Sequence, residues 1–321
     1  MASRGTRTWE DELDTLMALA ARLEDAKADD LALSGAEFGD VIRHLPGKRL
    51  ILRGTLGDRA VIFRMGLQDE SDAHARTFAE MRRLWPYMCE GDFRIAEPLH
   101  FNADHDLLVI GEVTGTPLMQ CMRKTSGPAR TRYLEPAARW FRQATAMTEG
   151  HRVANPRGWL KRAIQASTRQ PFPELKALED RIIPHLQDLA DRIQGAEWRT
   201  AICHGDLHPN NLMADGDRLT GIDFGGSSRL PIYKDMARFL MHMGRRRLIP
   251  SETSWMGVDA VAARAMVDAF GLDGMERSVI LPFMLGVEAL VRVESTELPR
   301  SRIKRAQRMY RALLRDLSAG A

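Results

Sequence analysis

Cysteine is scarce in this chain of 321 residues: Cys89, Cys121 and Cys203 stand far apart, odd in number and with no CxxC pair. That excludes a disulfide framework and a zinc ribbon, and it points to a reducing compartment. Net charge is scarce too, +3 at pH 7, which argues against a dedicated nucleic-acid binder. No apolar run approaches the ~20 residues needed to cross a bilayer. The chain turns acidic at Glu10-Asp11-Glu12 before any apolar stretch, unlike a signal peptide. A cytoplasmic protein with no membrane partner is expected. No internal repeat, low-complexity tract or GxxxxGK[ST] occurs, so a Walker-type nucleotide site is excluded. What remains, 44% hydrophobic and 28% charged residues, is an ordinary globular composition with enough chain for one large core or two moderate ones.

Residues 8–26 repeat Trp9, Leu13, Leu16, Met17, Ala20 and Leu23 at spacings of three and four, a helical period. The period then changes. Asp40 to Leu45, Arg49 to Leu56 and Arg59 to Met65 are short segments rich in Val, Ile, Leu and Phe, with Pro46-Gly47 and Gly57-Asp58 as turns between them. Three antiparallel strands follow from this pattern. A helix over Asp72 to Trp85 comes next, then strands near Phe93 to Ala96 and over Asp106 to Val113. Beyond Gly115 the pattern is helical, with loops at Gln165 to Pro173 and Pro250 to Trp255 and one exception at 200–224. A strand-rich lobe (1–115) and a helix-rich lobe (116–321) make an α+β protein of two lobes, with the cleft between them as the default ligand site.

The exception carries the chemistry. Ala201-Ile-Cys-His-Gly-Asp-Leu-His-Pro-Asn-Asn-Leu-Met213 leads through Ala-Asp-Gly-Asp-Arg218 into Leu219-Thr-Gly-Ile-Asp-Phe-Gly-Gly226. Asp215-Gly216 between two apolar runs is a hairpin signal. Folding that hairpin lays Asn211, at the foot of the first arm, close to Asp223, at the foot of the second. Asp206 lies on the irregular loop just before. One Asp and one Asn oxygen, with room for phosphate oxygens, suit magnesium. A further Asp suits a group that accepts a hydroxyl proton or orients the nucleophile, which is what phosphoryl transfer asks of a protein.

His204-Gly-Asp-Leu-His-Pro-Asn-Asn211 with Ile222-Asp-Phe224 resembles the signature of the aminoglycoside phosphotransferase and choline kinase group of the protein-kinase-like fold. The resemblance spans roughly residues 35–290 and is sharpest at 201–226. It implies that Asp206 is the catalytic base and that Asn211 and Asp223 hold magnesium. Gly205 stands where regulated protein kinases carry an arginine, so a small-molecule kinase is implied rather than a protein kinase. In the family a strand-borne lysine contacts nucleotide phosphates and pairs with a glutamate on the next helix. Here Arg64 takes the lysine position and Glu80 the glutamate position. Arginine keeps the charge with a different geometry. Phosphate cover falls to the short turn at Gly47 and Lys48, and Leu107 to Gly115 resembles the hinge strand that reads adenine, with Glu112 and Val113 as its contacts. Asp235 resembles a position that supports the catalytic loop, though a helix-start acid facing free backbone N–H groups would look the same.

An ATP- or GTP- and magnesium-dependent phosphotransferase acting on a small-molecule hydroxyl is therefore expected. Residues 224–321 hold 16 Lys+Arg against 10 Asp+Glu, which favours a sugar, a sugar derivative or a hydroxy amino acid over a polycationic aminoglycoside. The alternatives are a catalytically silent nucleotide-binding regulator of the same fold, prompted by Arg64 and the thin glycine loop, and a scaffold built on the C-terminal helices. His204 and His208 are four apart but flank Gly205 and Pro209, so they brace the loop rather than share a metal on a helix. The run Arg245-Arg-Arg247 is expected to be a solvated helix end, with phosphate or carboxylate binding as its other role. The oligomeric state is not encoded in any of these residues.

Overall fold

A computed structural model of the chain describes the backbone of residues 9–67 and 72–320, with side chains from residue 17 onward. The chain divides into two compact units. One holds the chain up to Cys89 together with Ile95–Val113, the other Glu90–Arg94 and the chain from Thr114. The strand-rich and helix-rich halves make the expected α+β protein. Among the described residues no helix is long and apolar enough to cross a membrane.

In the first unit, helix α1 (Trp9–Asp29) precedes strands β1 (Ala36–Leu45), β2 (Arg49–Leu56) and β3 (Arg59–Gly66), then helix α2 (Ala73–Met88). Strand β4 (Phe93–Ile95) is followed by β5 (Pro98–Asn102) and β6 (Leu107–Gly111). All strands but β4 form one antiparallel sheet in the order β1-β2-β3-β6-β5. Alternation on β3 turns Val61, Phe63 and Met65 to one face, all fully buried. Leu19, Leu23 and Ala26 of α1 close over them in a single apolar cluster. Each such side chain contributes about 1.5–3 kcal/mol on burial. The expected contributions of Trp9, Leu13 and Leu16 lie outside the described residues. The end of α1 is tied down by polar contacts: His100 Nε2 and Asn102 Nδ2 reach the Asp30 carboxylate at 2.7 and 2.8 Å.

Several boundaries differ from the pattern. Strand β1 starts at Ala36 rather than Asp40, because register shifts between Phe38 and Arg43 break its alternation. Helix α2 runs through Pro86 to a buried Met88. Strand β5 was concealed by its Pro and polar residues, which an edge strand tolerates.

The segment 90–94 joins the second unit because β4 pairs with β11 (Arg218–Gly221), and Leu219 N–H donates to Asp92 O at 2.7 Å. That sheet runs β4-β11-β10-β7, with β7 at Thr116–Pro117 and β10 at Leu212–Asp215. A second sheet, in the order β12-β9-β8, joins β8 (Gly150–Val153), β9 (Glu197–Cys203) and β12 (Ser228–Pro231). The remainder is helical: α3 (Leu118–Lys124), α4 (Leu134–Ala146), α5 (Pro156–Ser167), α6 (Pro173–Ile193) and α7 (Ile232–Gly244). The short pair β13 (Ser254–Trp255) and β14 (Val258–Asp259) occupies part of an expected loop, ahead of α8 (Ala260–Phe270), α9 (Leu281–Val291) and α10 (Arg300–Ser318). Helix α9 is the centre: every residue from Leu281 to Leu290 is buried, and α5, α6 and α7 pack around it. A helix apolar on all sides has this place in a bundle.

Packing also positions the strand that leads to Asp223. A Cβ on Gly221 would lie 2.1 Å from the Trp140 ring, and Trp140 is itself held by its indole N–H to Arg94 O at 2.8 Å. Gly221→Ala is therefore expected to cost about 1–3 kcal/mol through overpacking, lowering Tm by roughly 3–9 °C for a unit of this size. Thermal unfolding followed by circular dichroism checks this; an unchanged Tm would mean that the indole is free to move aside.

Candidate functional site

The segment that begins at His204 leaves β9 as irregular chain because Gly205 has a φ of +83° and a Cβ there would stand 1.8 Å from Gly226 O. Only glycine avoids that clash with backbone, which gives the local reason why no arginine stands at this position. The loop is then anchored to α7. Gly205 N–H donates to the carboxylate of Asp235 at 2.8 Å, and Asp235 is fully buried. Lys234 Nζ lies 3.0 Å from the same carboxylate and also donates to Gly205 O. Asp235 thus sits in the first turn of α7 and supports the loop at once; its partner is the loop rather than its own helix.

The hairpin forms with the register Leu212↔Gly221 through Asp215↔Arg218, closed by a two-residue Gly216–Asp217 loop. Beyond the last pair, Ile222 N–H donates to Asn211 O at 3.0 Å, so residues 211 and 223 lie at adjacent feet of the two arms. Asn211 is buried and its Nδ2 donates to Asp206 O at 3.1 Å. Asp223 has a φ of +65° and a ψ of +58°, a left-handed conformation that Asp enters more readily than most residues. Phe224 beyond it packs at 4.9 Å from the His204 ring and 6.4 Å from Trp140. The His204 Nε2 meets Ile222 O at 2.9 Å, so this histidine braces the hairpin.

Asp206 is held asymmetrically. Arg238 Nε on α7 donates to its Oδ1 at 2.7 Å, and the guanidinium of Arg292, just past α9, reaches the same oxygen at 3.3 Å. Glu288 lies behind both arginines, 3.5 Å from Arg238 and 3.1 Å from Arg292. The other oxygen, Oδ2, has His208 Nε2 at 3.7 Å, beyond hydrogen-bond range. The side chain is 41% exposed. Burial alone would raise the carboxyl, but Arg238, with His208 and Arg292, outweighs it and holds Asp206 below its ordinary value. Burial drives His208 down to about 4 despite Asp206 beside it, so its imidazole is neutral near pH 7. The Arg238–Glu288–Arg292 group was missed from sequence; the signal was Arg238, one turn after Asp235.

The residues expected to bind nucleotide lie in the first unit. Arg64 is on β3, buried rather than solvent-facing, opposite Ile51 and Leu108, and close enough to His74 for its charge to depress that imidazole, whose main depressing influence is burial. Gly47 and Lys48 form a tight turn closed by Lys48 N–H to Leu45 O at 2.9 Å. Glu80 accepts two bonds from Arg83, one turn on, at 2.8 and 2.6 Å. The Glu112 carboxylate accepts from Arg53 at 2.7 Å while its N–H donates to Ala60 O at 3.0 Å; Val113 ends the unit.

Asn211 and Asp223 are hard oxygen donors at adjacent positions, a set that matches the preference of magnesium for one or two protein carboxylates or carbonyls with water and phosphate completing the shell. Among the described residues no three His, Cys, Asp or Glu side chains gather as a metal-binding group. A recess of about 1070 Å³ between α4 and α8, lined by Arg132, Arg139, Arg142 and Arg264 among others, shares no residue with the loop.

The model of the phosphotransferase enzyme family matches residues 32–274. No curated protein matches the sequence. Among solved structures, amicoumacin kinase in complex with AMP-PNP, Ca2+ and Ami aligns with a TM-score of 0.57 at 13% identity, covering 93% of this chain and 96% of its own. A choline/ethanolamine kinase family protein from Mesorhizobium loti aligns at 0.55 and 14% identity over 95% and 99%. The microcompartment-associated aminopropanol kinase aligns at 0.55 and 14% over 94% and 98%. At these identities the likeness is one of fold.

Asp235→Ala removes the buried acceptor of Gly205 N–H and the partner of Lys234. It is expected to cost about 3–5 kcal/mol of stability, and Asp235→Asn, which keeps an acceptor, about half of that. Urea denaturation of both variants checks the order; equal losses would mean that the Gly205 bond contributes nothing.

Proposed function

The chain belongs to the phosphotransferase enzyme family, and we propose that it is a kinase that moves the terminal phosphoryl group of ATP or GTP, with magnesium, to a hydroxyl of a sugar, a sugar derivative or a hydroxy amino acid. The observation that carries this is the Asp206 carboxylate, with Oδ1 clamped by two guanidiniums and Oδ2 open, next to the Asn211–Asp223 pair. A clamped, ionised carboxylate with one free oxygen orients an acceptor hydroxyl and takes its proton as the O–P bond forms. Because the transition state is loose, orientation matters more than basicity, so a depressed carboxyl is suited to the task.

Asn211 and Asp223 would hold magnesium, which neutralises phosphate charge when bound. Arg64 and Lys48, with the Gly47 turn, supply positive charge for the nucleotide phosphates. The Glu80 carboxylate, expected to pair with Arg64, is instead taken up by Arg83 on its own helix, and the backbone at Glu112 and Val113 meets the base. The amicoumacin kinase complex, with AMP-PNP and Ca2+, supports a nucleotide triphosphate donor and a divalent ion. The arginine surplus after residue 224 and the guanidiniums at Asp206 disfavour a polycationic acceptor. Arg64 and the short Gly47 turn remain the only features that suggest a catalytically silent regulator, and the joint presence of Asp206, Asn211 and Asp223 supports the kinase reading over it.

A nucleotide-consumption screen over sugars, hydroxy amino acids, choline-like alcohols and aminoglycosides is expected to give acceptor-dependent turnover. Asp206→Asn should lower kcat by about 10²–10⁴-fold, and EDTA should abolish turnover. Mg–AMP-PNP should still raise the Tm of Asp206→Asn, by mass action. Turnover surviving Asp206→Asn would remove Asp206 from the mechanism, and consumption only with aminoglycosides would overturn the acceptor class.

A further inference from the structure

Of the run Arg245-Arg-Arg247, only Arg247 is the solvated helix end its sequence implied. Arg245 is buried at 3% exposure, donating to Glu294 at 2.5 Å, to Ala289 O and to Tyr310 Oη at 3.3 Å. Arg302 of α10 shares the same glutamate at 3.8 Å. With Glu294 committed to these two, neither Arg246 nor Arg305 forms an ion pair among the described residues. Arg246 is half-buried, and its one hydrogen bond goes to the His242 carbonyl at 3.1 Å.

His242 joins this group to the catalytic loop. Its ring stacks on His208 with centroids 4.4 Å apart, and His208 stands 3.7 Å from Asp206 Oδ2. His242 is 4% exposed, yet neither ring nitrogen has a hydrogen-bond partner; the Nε of Arg302 and of Arg305 are likewise buried and unbonded. Buried polar groups are normally satisfied, so this many orphans around one cluster call for a missing acceptor. The charge balance says the same. Arg238, Arg245, Arg292 and Arg302 already take up the three carboxylates Asp206, Glu288 and Glu294, and Arg246 and Arg305 add two further cations within repulsive reach of Arg302.

Resting on the phosphotransferase reading, we infer that this arginine cluster on the His242 side of Asp206 binds an oxyanion of the phosphoryl acceptor, a phosphate ester or a carboxylate, with Arg246 and Arg302 as its ligands. The acceptor is then an anionic hydroxy compound whose charged group is held one or two side chains away from the hydroxyl that Asp206 orients. Burial, then repulsion from Arg302 and Arg238, pushes Arg246 down to about 10. Arg302 is lowered by burial and, against the attraction of Glu294, by Arg245, Arg305 and Arg123. A bound oxyanion relieves this repulsion and accepts from the free guanidinium N–H groups. Guanidinium is the side chain best matched to such anions, because it forms paired, charge-assisted bonds.

The test measures Tm of the full chain against inorganic phosphate, against acetate, and against chloride at equal ionic strength, each with and without saturating Mg–AMP-PNP. Variants are Arg246→Gln, Arg302→Gln and, as control, the exposed Arg247→Gln. Phosphate or acetate should stabilise the wild type beyond chloride with nucleotide bound, and the better of the two names the anion. Either cluster substitution should weaken that effect about tenfold or more, as expected for a lost charge-assisted pair; Arg247→Gln should not. In the acceptor screen, phosphorylated sugars or hydroxy carboxylates should turn over in preference to their neutral parents, and Arg246→Gln should raise KM for the anionic acceptor more than it lowers kcat. No anion effect in the wild type, or an effect equal in all variants, would overturn the inference. Anion binding by the cluster with no turnover of any acceptor would instead sink the kinase proposal alone.

Discussion

The hydrogen bond from Gly205 N–H to the buried carboxylate of Asp235 sets the position of the whole segment that carries Asp206 and Asn211. It ties an irregular loop to the first turn of α7, a helix packed on the central α9. Because Gly205 occupies positive φ against the Gly226 carbonyl, the loop has almost no other way to leave β9. Asp206, the next residue, inherits this placement, as does Asn211 five residues on. The hairpin then carries Asp223 back to the same place through register alone. One contact to α7 and a short hairpin thus bring three polar side chains together.

Charge is the second organising element. Helix α9 is almost wholly apolar, yet it carries Glu288, 4% exposed, and ends at Arg292. A buried carboxylate is costly unless paired, and Glu288 is paired with the two arginines that clamp Asp206. The Asp206 carboxylate is therefore one anion in a field of cations and not an isolated acid. Further along α7 and α10 the cations outnumber their partners.

The first unit is economical by comparison. Its sheet is held by α1 across Val61, Phe63 and Met65, and its turn between β1 and β2 is only four residues long. So short a turn offers few backbone N–H groups to an anion, and under the proposed function positive charge from Arg64 and Lys48 would take a larger share of that work.

Local chemistry was legible from sequence. Strand β2 was read to the residue, β3 to within one, and the Asp215-Gly216 signal located the hairpin, because alternation and turn residues act over two to ten positions. Asp206, Asn211 and Asp223 share one short segment, so their juxtaposition needed no long-range information. Strand β5, the pairing of β4 with β11 and the burial of Arg245 were not legible, since edge strands and buried ion pairs carry no periodic mark. The same holds for the clamp on Asp206: Arg238 and Arg292 lie 32 and 86 residues from it in the chain. Sequence alone determined which residue types stand at the candidate site and that the chain could fold them together. Only the tertiary structure decided the electrostatic surroundings, because charges act through space and their neighbours are chosen by packing, not by order along the chain.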